Sequence, residues 1–277
     1  MQRIDSHQHF WRFEPVRYSW ITDDLKVIQK DFLPEDLAPL LKEHNIDGCV
    51  AVQADPSEEE NVFLLELAAA NPFIKGVVGW VDFTAENIRE TLEFYKGYDK
   101  MKGFRAMLQS EKDRAFMLRD DFKRGIALLD DFGYAYDILI NADQVKYSDE
   151  FAGLFPNQKF VIDHIAKPYI KDKKIDEWAA DIKAIAKHEN VSCKISGMIT
   201  EADWSNWKSE DFTPYLDVVF EAFGAKRVMY GSDWPVSLLA GDYRQVVDLV
   251  KDYTARLTEN EQGLFWGENA INFYNLK

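Results

Sequence analysis

Cysteine is scarce in this chain. The 277 residues include two, Cys49 and Cys193, and each lies within a segment expected to form a buried strand. Free thiols in such positions behave as small hydrophobic side chains, so no disulfide framework is predicted. No apolar run approaches the roughly 20 residues of a membrane span, and the first residues lack the apolar core of a secretory signal. We therefore expect a cytoplasmic protein without a membrane partner.

Basic residues are also in short supply. Lysine and arginine number 33 against 48 aspartates and glutamates, which gives a formal net charge of −15. A surface of this sign repels phosphate backbones, so nucleic acid is not an expected partner. Hydrophobic residues make up 47% of the chain and aromatic residues 14%, which is enough for a sizeable core. We expect a globular protein with a small-molecule ligand, and association into a homo-oligomer is left open.

Several catalytic signatures are absent as well. The chain contains no Gly-x-Ser-x-Gly elbow, no Walker phosphate loop and no Cys-x-x-Cys pair. The strand glycines Gly76, Gly79 and Gly103 do not have the spacing of a dinucleotide-binding loop. These absences remove the usual support for serine hydrolase, nucleotide hydrolase, structural zinc and hydride-transfer chemistry.

Short β-branched runs alternate with longer segments of helical period, a pattern typical of a parallel sheet with crossover helices. Strands are predicted at residues 3–9, 48–53, 74–82, 101–107, 134–140, 159–163, 191–196 and 227–233. Helices are predicted at 33–43, 58–71, 116–131, 176–188 and 213–223, with closing helices at 243–256, 258–265 and 269–274. This order predicts an α/β protein, a (β/α)8 TIM-type barrel with closing C-terminal helices. No linker or low-complexity tract interrupts it, so residues 1–277 are expected to form a single domain.

The first predicted strand carries two histidines, His7 and His9, at alternate positions. Because successive strand side chains point to opposite faces, Asp5, His7 and His9 are expected to project from one side. A histidine pair at a strand end can hold a divalent cation, and such a cation can turn water into a nucleophile at neutral pH. Such a site would favour hydrolysis as the chemistry of this protein. Two histidines on a strand are also often ordinary hydrogen-bonded side chains, however, so this hypothesis needs support from further residues.

The carboxyl ends of the strands form the active-site face of such a barrel, which gives weight to polar residues there. His164 follows the sixth strand and is the expected third nitrogen ligand or a neutral electrophile beside a carbonyl, with a loop-bracing role as the alternative. Asp233 ends the eighth strand and could bind the cation and accept a proton from water, although it could instead cap a helix. His44 and His188 lie in helical segments that precede strands, so they belong to the opposite rim.

Other side chains near the strand ends are candidates for substrate binding. Arg105 could hold a carboxylate or a carbonyl oxygen by paired donors, with a surface ion pair as the alternative. Lys194 would need a partner if it faced the barrel interior. Aromatic faces suit the apolar sides of a sugar ring, although packing explains the tryptophans equally well. The predicted substrate-binding residues are Gln53, Trp80, Asp82, Arg105, Lys194 and Trp234. The long connections 10–31 and 197–212 could cover the mouth of the barrel.

Short motifs follow one another in order along nearly the whole chain. They are Asp5-Ser6-His7-Gln8-His9-Phe10-Trp11, Val52-Gln53-Ala54, Val78-Gly79-Trp80-Val81-Asp82, Gly103-Phe104-Arg105 with Leu108-Gln109, Asp163-His164-Ile165-Ala166-Lys167-Pro168, Lys194-Ile195-Ser196-Gly197 and Gly231-Ser232-Asp233-Trp234-Pro235. In this combination the sequence resembles the amidohydrolase superfamily, specifically its sugar-lactonase branch.

The resemblance implies a (β/α)8 barrel whose members open sugar lactones, some with a metal ion and some without one. It matches His7 and His9 to the ligand pair of the first strand, His164 to the sixth-strand histidine, and Asp233 to the eighth-strand aspartate. The chain departs from the pattern on strand five, where many amidohydrolases place another ligand and this sequence offers only Asp137. A single metal ion is therefore expected instead of a binuclear centre.

The resulting hypothesis is hydrolysis of a sugar lactone, such as a deoxy-sugar aldonolactone, to the open aldonate. Asp233 would act as general base on water, and one divalent ion, expected to be zinc, would polarise the ester carbonyl or bind that water. The ligands of this ion would be His7, His9, His164 and Asp233. Metal-independent activity stays open. A metal-dependent decarboxylase of an aromatic or unsaturated acid is the alternative, and a noncatalytic sugar-binding barrel is a third hypothesis.

Overall fold

Eight parallel strands follow one another around a barrel in their sequence order, in a computed structural model that describes residues 1–277. The strands are β1 (Ile4–Gln8), β2 (Gly48–Val52), β3 (Ile74–Gly79), β4 (Met101–Ala106), β5 (Ala135–Ile138), β6 (Phe160–Ile162), β7 (Val191–Ile195) and β8 (Val228–Tyr230). Backbone hydrogen bonds from Asp233 N to His7 O (2.8 Å) and from His9 N to Trp234 O (2.7 Å) join the segment after β8 to β1. The predicted TIM-type barrel is confirmed, and every strand lies within its predicted range.

Helices connect the strands and form the outer layer. They are α1 (Pro34–Glu43), α2 (Glu58–Ala70), α3 (Ile88–Tyr95), α4 (Asp120–Ile126), α5 (Leu129–Phe132), α6 (Val145–Leu154), α7 (Asp176–Ile185), α8 (Ser209–Phe223), α9 (Tyr243–Thr254), α10 (Glu259–Gly263) and α11 (Asn269–Tyr274). Two of them, α3 and α6, lie in segments for which the sequence pattern predicts no helix. None of the helices combines the length and apolar character needed to cross a membrane.

The predicted helix at 116–131 is wrong as a continuous element. Arg119 adopts an extended conformation with a ψ of 143°, and this residue separates a short 3-10 turn from α4. The chain then forms the separate short helix α5. Near the C-terminus, the helices predicted as separate at 258–265 and 269–274 are continuous, because the π-helical turn Leu264–Glu268 joins α10 to α11.

The barrel interior is closed at its amino-terminal end by the end of the chain. Val50, Val78 and Val161 project inward from three strands and pack in one buried cluster with Tyr274 and Leu276. A larger buried hydrophobic cluster contains side chains from both the strands and the helices that surround them. With one end of the barrel filled, the carboxyl ends of the strands remain as the open mouth, where the polar strand-end residues lie.

Candidate active site

The first strand does not keep strict alternation. Its pairing with β2 shifts register between Asp5 and Gln8. Asp5 turns away from the barrel interior and accepts hydrogen bonds from Tyr243 Oη (3.0 Å) and Ser232 N (2.8 Å). His7 instead faces inward, among buried charged side chains. The expectation that Asp5 shares a face with the two histidines is therefore wrong, because a bulge changes the direction of the side chains that follow it.

One carboxylate oxygen lies among three imidazoles. Asp233 Oδ1 is 3.3 Å from His9 Nε2, 3.8 Å from His7 Nε2 and 3.8 Å from His164 Nε2. His7, His164 and Asp233 each place one potential ligand atom within 4.8 Å of the other two, and all four side chains are buried. The structure thus brings together the four residues that the sequence marks as metal ligands.

The outward-facing nitrogens of two histidines are held by neighbouring strands. His9 Nδ1 lies 2.8 Å from Val52 O, which can only accept, so Nδ1 carries the proton. Its Nε2 then either offers a lone pair to a cation or, in the imidazolium, donates towards Asp233. His164 Nδ1 lies 3.0 Å from Ser196 Oγ. Hydrogen bonds of this kind fix the ring orientation and direct the second nitrogen towards the shared carboxylate.

The third histidine, His7, contacts a cluster of buried charged side chains. His7 Nδ1 lies 3.2 Å from Asp163 Oδ1 and 3.1 Å from Lys194 Nζ. Lys194 Nζ lies 2.5 Å from Asp137 Oδ2 and 3.0 Å from Asp163 Oδ1, while Arg105 donates to Asp163 Oδ2 at 2.9 Å. The lysine that the sequence assigns to substrate therefore forms ion pairs with two buried carboxylates, and these are the partners that its own burial requires.

The environment sets the charge states in this region. Burial raises the pKa of Asp137 to about 6, although Lys194 opposes the shift. Burial would also raise the pKa of Asp163, but Lys194 and His7 outweigh it and hold that pKa well below its usual range. The buried Asp163 carboxylate is consequently ionised at neutral pH and can accept the Nδ1 proton of His7.

The reactive face combines two neutral imidazoles, those of His7 and His164, with an ionised carboxylate. Burial lowers the pKa of both His7 and His164 well below the usual value, because desolvation disfavours imidazolium. Burial acts to raise the pKa of Asp233, but its electrostatic interaction with His164 and its hydrogen bond with His9 outweigh this effect, so the net shift is downward. Both metal ligation and general base catalysis require this combination of free nitrogen lone pairs and a deprotonated carboxyl group.

His164 begins a left-handed turn that continues to Lys167. The four consecutive residues 164–167 have φ values of 55°, 48°, 60° and 49°. Such a conformation costs roughly 1–2 kcal/mol for each non-glycine residue. Lys167 N donates to His164 O at 2.9 Å, which closes a turn of four residues and places the His164 and Lys167 side chains on one side. Asp233 also has a positive φ of 56°, so backbone strain is concentrated around the shared carboxylate.

A cavity of about 130 Å³ opens beside Asp233 at the carboxyl ends of the strands. His9, His164 and Asp233 form part of its wall, together with Arg105 and Lys167. Both long connections contribute as expected: residues 10–31 supply Trp20, and residues 197–212 supply Thr200. A larger cleft of about 410 Å³ lies elsewhere, lined by residues that include Asp143, Lys173 and Trp178. We assign the site to the smaller cavity because the buried acid and histidines lie there.

Two predicted substrate-binding residues form an internal brace. Arg105 lines the cavity, but its NH1 donates to Asp163 and its NH2 donates to Gln53 O and to Gln53 Oε1, the latter at 2.9 Å. Gln53 is buried behind Arg105 and does not line the cavity. The paired donors of Arg105 are therefore used within the protein, and only its buried Nε lacks a partner.

The remaining predicted substrate contacts lie outside the cavity. Asp82 is exposed and accepts hydrogen bonds from Thr84 N (2.9 Å) and Thr84 Oγ1 (2.6 Å), an ordinary turn arrangement. Trp80 is half-buried and does not line the cavity. Trp234 is buried and also lies outside the lining, and its ring centroid is 5.2 Å from that of Phe32. Like Lys194, which lies beside His7, these side chains do not line the cavity, because a strand end directs only some of its residues into the mouth.

Several residues that line the cavity were not predicted as site residues from the sequence. Ala54, Met107 and Leu139 each follow the end of a strand by one or two residues, and Lys167 lies in the turn after β6. Their positions at the carboxyl ends of strands were the available signal. The first three are apolar, however, so their residue types do not indicate a place in the site.

Comparison with known proteins places this chain among amidohydrolases. The Amidohydrolase (Amidohydro_2) family model matches residues 4–276. An L-fucono-1,5-lactonase of Burkholderia multivorans is 39% identical over 285 residues, which cover 99% of this chain and 96% of the relative. An L-fucono-1,5-lactonase of Burkholderia ambifaria is 34% identical with the same coverage. The crystal structure of a Burkholderia multivorans amidohydrolase with bound Zn is 39% identical, with a TM-score of 0.96 over the whole of both chains.

Proposed function

Because this chain belongs to the amidohydrolase family, we propose that it is a lactonase that hydrolyses a deoxy-sugar aldonolactone, of the L-fucono-1,5-lactone kind, to the open aldonate. It is a hydrolase of the cyclic ester bond of a sugar lactone. The observation that carries the proposal is the position of Asp233 Oδ1 within 3.8 Å of three histidine Nε2 atoms at the wall of the cavity.

We assign the role of general base to Asp233. Its carboxylate is buried and has a lowered pKa, so it is ionised and poorly hydrated at neutral pH. It can take a proton from water as the water oxygen attacks the lactone carbonyl carbon, and then return that proton to the departing ring oxygen. His164 is the second catalytic group: its Nδ1 contact with Ser196 holds Nε2 beside Asp233, where it can orient the carbonyl or the cation.

The donor set also fits one divalent metal ion. Ligands bound tetrahedrally at about 2.0–2.1 Å lie roughly 3.3 Å from one another. The distances from Asp233 Oδ1 to the three Nε2 atoms, 3.3 to 3.8 Å, are close to this separation. His7, His164 and Asp233 also place ligand atoms within 4.8 Å of one another, whereas His9 approaches the group through Asp233. Three imidazole nitrogens and one carboxylate oxygen are ligands that zinc accepts, so we propose zinc, held by His7, His9, His164 and Asp233. When bound, such an ion supplies Lewis acidity towards a carbonyl oxygen or water.

The decarboxylase alternative would be supported by Arg105 as a carboxylate-binding group. Its two terminal nitrogens already donate to Asp163 and Gln53, so a substrate carboxylate would have to displace buried internal partners. The two lactonase relatives give independent support for ester hydrolysis. Lactone opening is therefore the function that the site supports best.

The test is a panel of sugar lactones assayed by acid release, with the spontaneous rate subtracted. It pairs the 1,5- and 1,4-lactones of L-fuconate and L-rhamnonate with a lactone that carries a 6-hydroxyl group. We expect enzyme-dependent opening of at least one deoxy-sugar lactone. No opening across the panel, together with carbon dioxide release from an aromatic acid, would reject the proposal in favour of the decarboxylase.

The same panel, run before and after chelation, addresses the metal. We expect chelation to abolish most of the activity and added zinc to restore it. Full turnover by protein shown to be metal-free would reject the zinc assignment while leaving the lactonase assignment in place.

A further inference from the structure

We propose that Lys167 binds the carboxylate that forms when the lactone ring opens. This inference rests on the proposed function, since it concerns the product of that reaction. Ring opening forms a bond between the water oxygen and the carbonyl carbon, breaks the bond from that carbon to the ring oxygen, and leaves a hydroxyl group on the former ring oxygen. At neutral pH the new acid loses a proton, so a neutral substrate becomes an anionic product inside the cavity.

The left-handed turn determines where Lys167 points. Residues 164–167 keep positive φ values throughout, and the hydrogen bond from Lys167 N to His164 O spans three residues. Side chains three residues apart are eclipsed in such a turn, so Lys167 shares the side of His164. Both residues line the cavity together with Asp233. A strained backbone therefore directs a metal-ligand candidate and a cation into the same space.

Lys167 differs from the other cations near the site in having free donors. Its nearest carboxylate oxygen is Glu201 Oε1, 3.9 Å from Nζ, and this is beyond a direct hydrogen bond. Arg105 and Lys194 are instead hydrogen-bonded to buried carboxylates. Among lysines and arginines, only Arg105 and Lys167 line the cavity, so Lys167 is the one whose terminal donors remain available.

The chemistry of the side chain suits this role. A lysine ammonium is a compact charge with three rotatable donors on a flexible stem, and 23% of the Lys167 side chain is exposed. It can exchange the loose contact with Glu201 for an oxygen of the product without breaking a close internal ion pair. Removal of its charge should weaken the binding of the anionic aldonate much more than the binding of the neutral lactone.

The experiment measures L-fuconate binding by calorimetry and its competitive inhibition of lactone turnover, using the zinc-loaded full-length protein. Lys167→Met should raise the Kd of L-fuconate about tenfold or more, while the KM for the lactone changes by less than about threefold. Lys167→Arg should retain most of the binding, because it keeps the charge. Glu201→Gln should tighten it, because the competing carboxylate is removed. Lys174→Met, on an exposed lysine of the same connection, is the control and should bind as the wild type does.

The outcomes separate this inference from the proposed function. An unchanged L-fuconate Kd in a folded Lys167→Met protein, or an equal loss of lactone and aldonate affinity, would overturn the carboxylate-binding role. A wild-type protein that shows no affinity for L-fuconate would overturn it as well. A wild-type protein that binds L-fuconate but opens no lactone would refute the proposed function alone, since the binding comparison still decides the role of Lys167.

Discussion

Gly197 lies directly against His164. A Cβ atom at position 197 would stand 2.5 Å from His164 Nδ1 and 3.0 Å from Asp233 Oδ2. Gly197 also has a φ of 60°, in the left-handed region that favours glycine. The backbone after β7 thus forms the wall against which the imidazole and the carboxylate are positioned, and any larger residue must displace one of them.

Gly197→Ala should therefore inactivate the enzyme. We expect kcat/KM to fall about 100-fold, because the added methyl group pushes the His164 ring out of its hydrogen-bonded position. Gly133→Ala is the matched control, since Gly133 has a φ of 73° but no atom within 4 Å of the added Cβ. That control should lose about 1 kcal/mol of unfolding free energy and keep its activity. Wild-type turnover by Gly197→Ala would contradict the packing argument.

Asp233→Asn should reduce turnover far more than it reduces binding. The amide cannot accept the proton of water, so kcat should fall by about 10² to 10⁴. Steady-state kinetics on the best lactone of the panel measure the effect. Asp82→Asn removes the exposed strand-end carboxylate that accepts hydrogen bonds from Thr84, and it should leave kcat and KM unchanged. Near-native turnover by the Asp233 variant would eliminate the general base role.

Lys194→Met should destabilise the barrel. The substitution leaves Asp137 and Asp163 buried without the ammonium group that lies 2.5 and 3.0 Å from them. Removal of one partner from a buried charge cluster costs about 3–5 kcal/mol of unfolding free energy, which urea denaturation can measure. Lys183→Met removes an exposed pair with Glu221 and should cost less than about 0.5 kcal/mol. Equal stability of the two variants would show that the internal charges compensate in another way.

Glu60 should give the fold a measurable pH dependence. Burial raises its pKa above 4.5, although hydrogen bonds from Ala54 N and Tyr18 Oη oppose the shift. Between pH 4.5 and the folded-state pKa, the folded protein holds more of the Glu60 proton than the unfolded chain does. Stability contributed by this group is thus complete below pH 4.5 and falls as the pH rises through that window.

Urea unfolding of the wild type and of Glu60→Gln over about pH 4 to 7.5 isolates this contribution. The wild-type free energy of unfolding, minus that of the variant, should fall with rising pH by at most about 1.4 kcal/mol per pH unit and then level off. A difference that grows with pH would mean that the ion pair with Arg17, 3.2 Å away, dominates over burial.

Local sequence patterns were sufficient for the strands but not for all of the helices. Buried parallel strands leave short apolar runs between polar turns, and all eight observed strands lie within such runs. The segment around Arg119 has a helical period, yet its extended backbone breaks the helix before α4. Propensity and period do not record where a chain must turn to reach the next strand, so element boundaries follow tertiary contacts.

The sequence likewise identified some residues of the site but not the roles of others. His7, His9, His164 and Asp233 could be singled out because they carry ligand or acid-base groups at the predicted carboxyl ends of strands, which form the active-site face of such a barrel. Gln53 and Lys194 were identified as polar strand residues, but their sequence positions do not distinguish a residue that meets substrate from one that braces Arg105 or Asp163. Lys167 lies within a recognised motif, and only the left-handed backbone shows that its side chain shares the cavity with His164.

The sequence by itself determined the barrel, the order of its strands and the four residues that meet at its mouth, because hydrophobic period and residue chemistry are local properties of the chain. The tertiary structure alone decided that Asp5 leaves this group, that Lys194 and Asp137 form a buried ion pair, and that Gly197 presses against His164. These relationships depend on strand register, a bulge and the closure of the barrel, which are fixed by contacts between residues distant in the sequence.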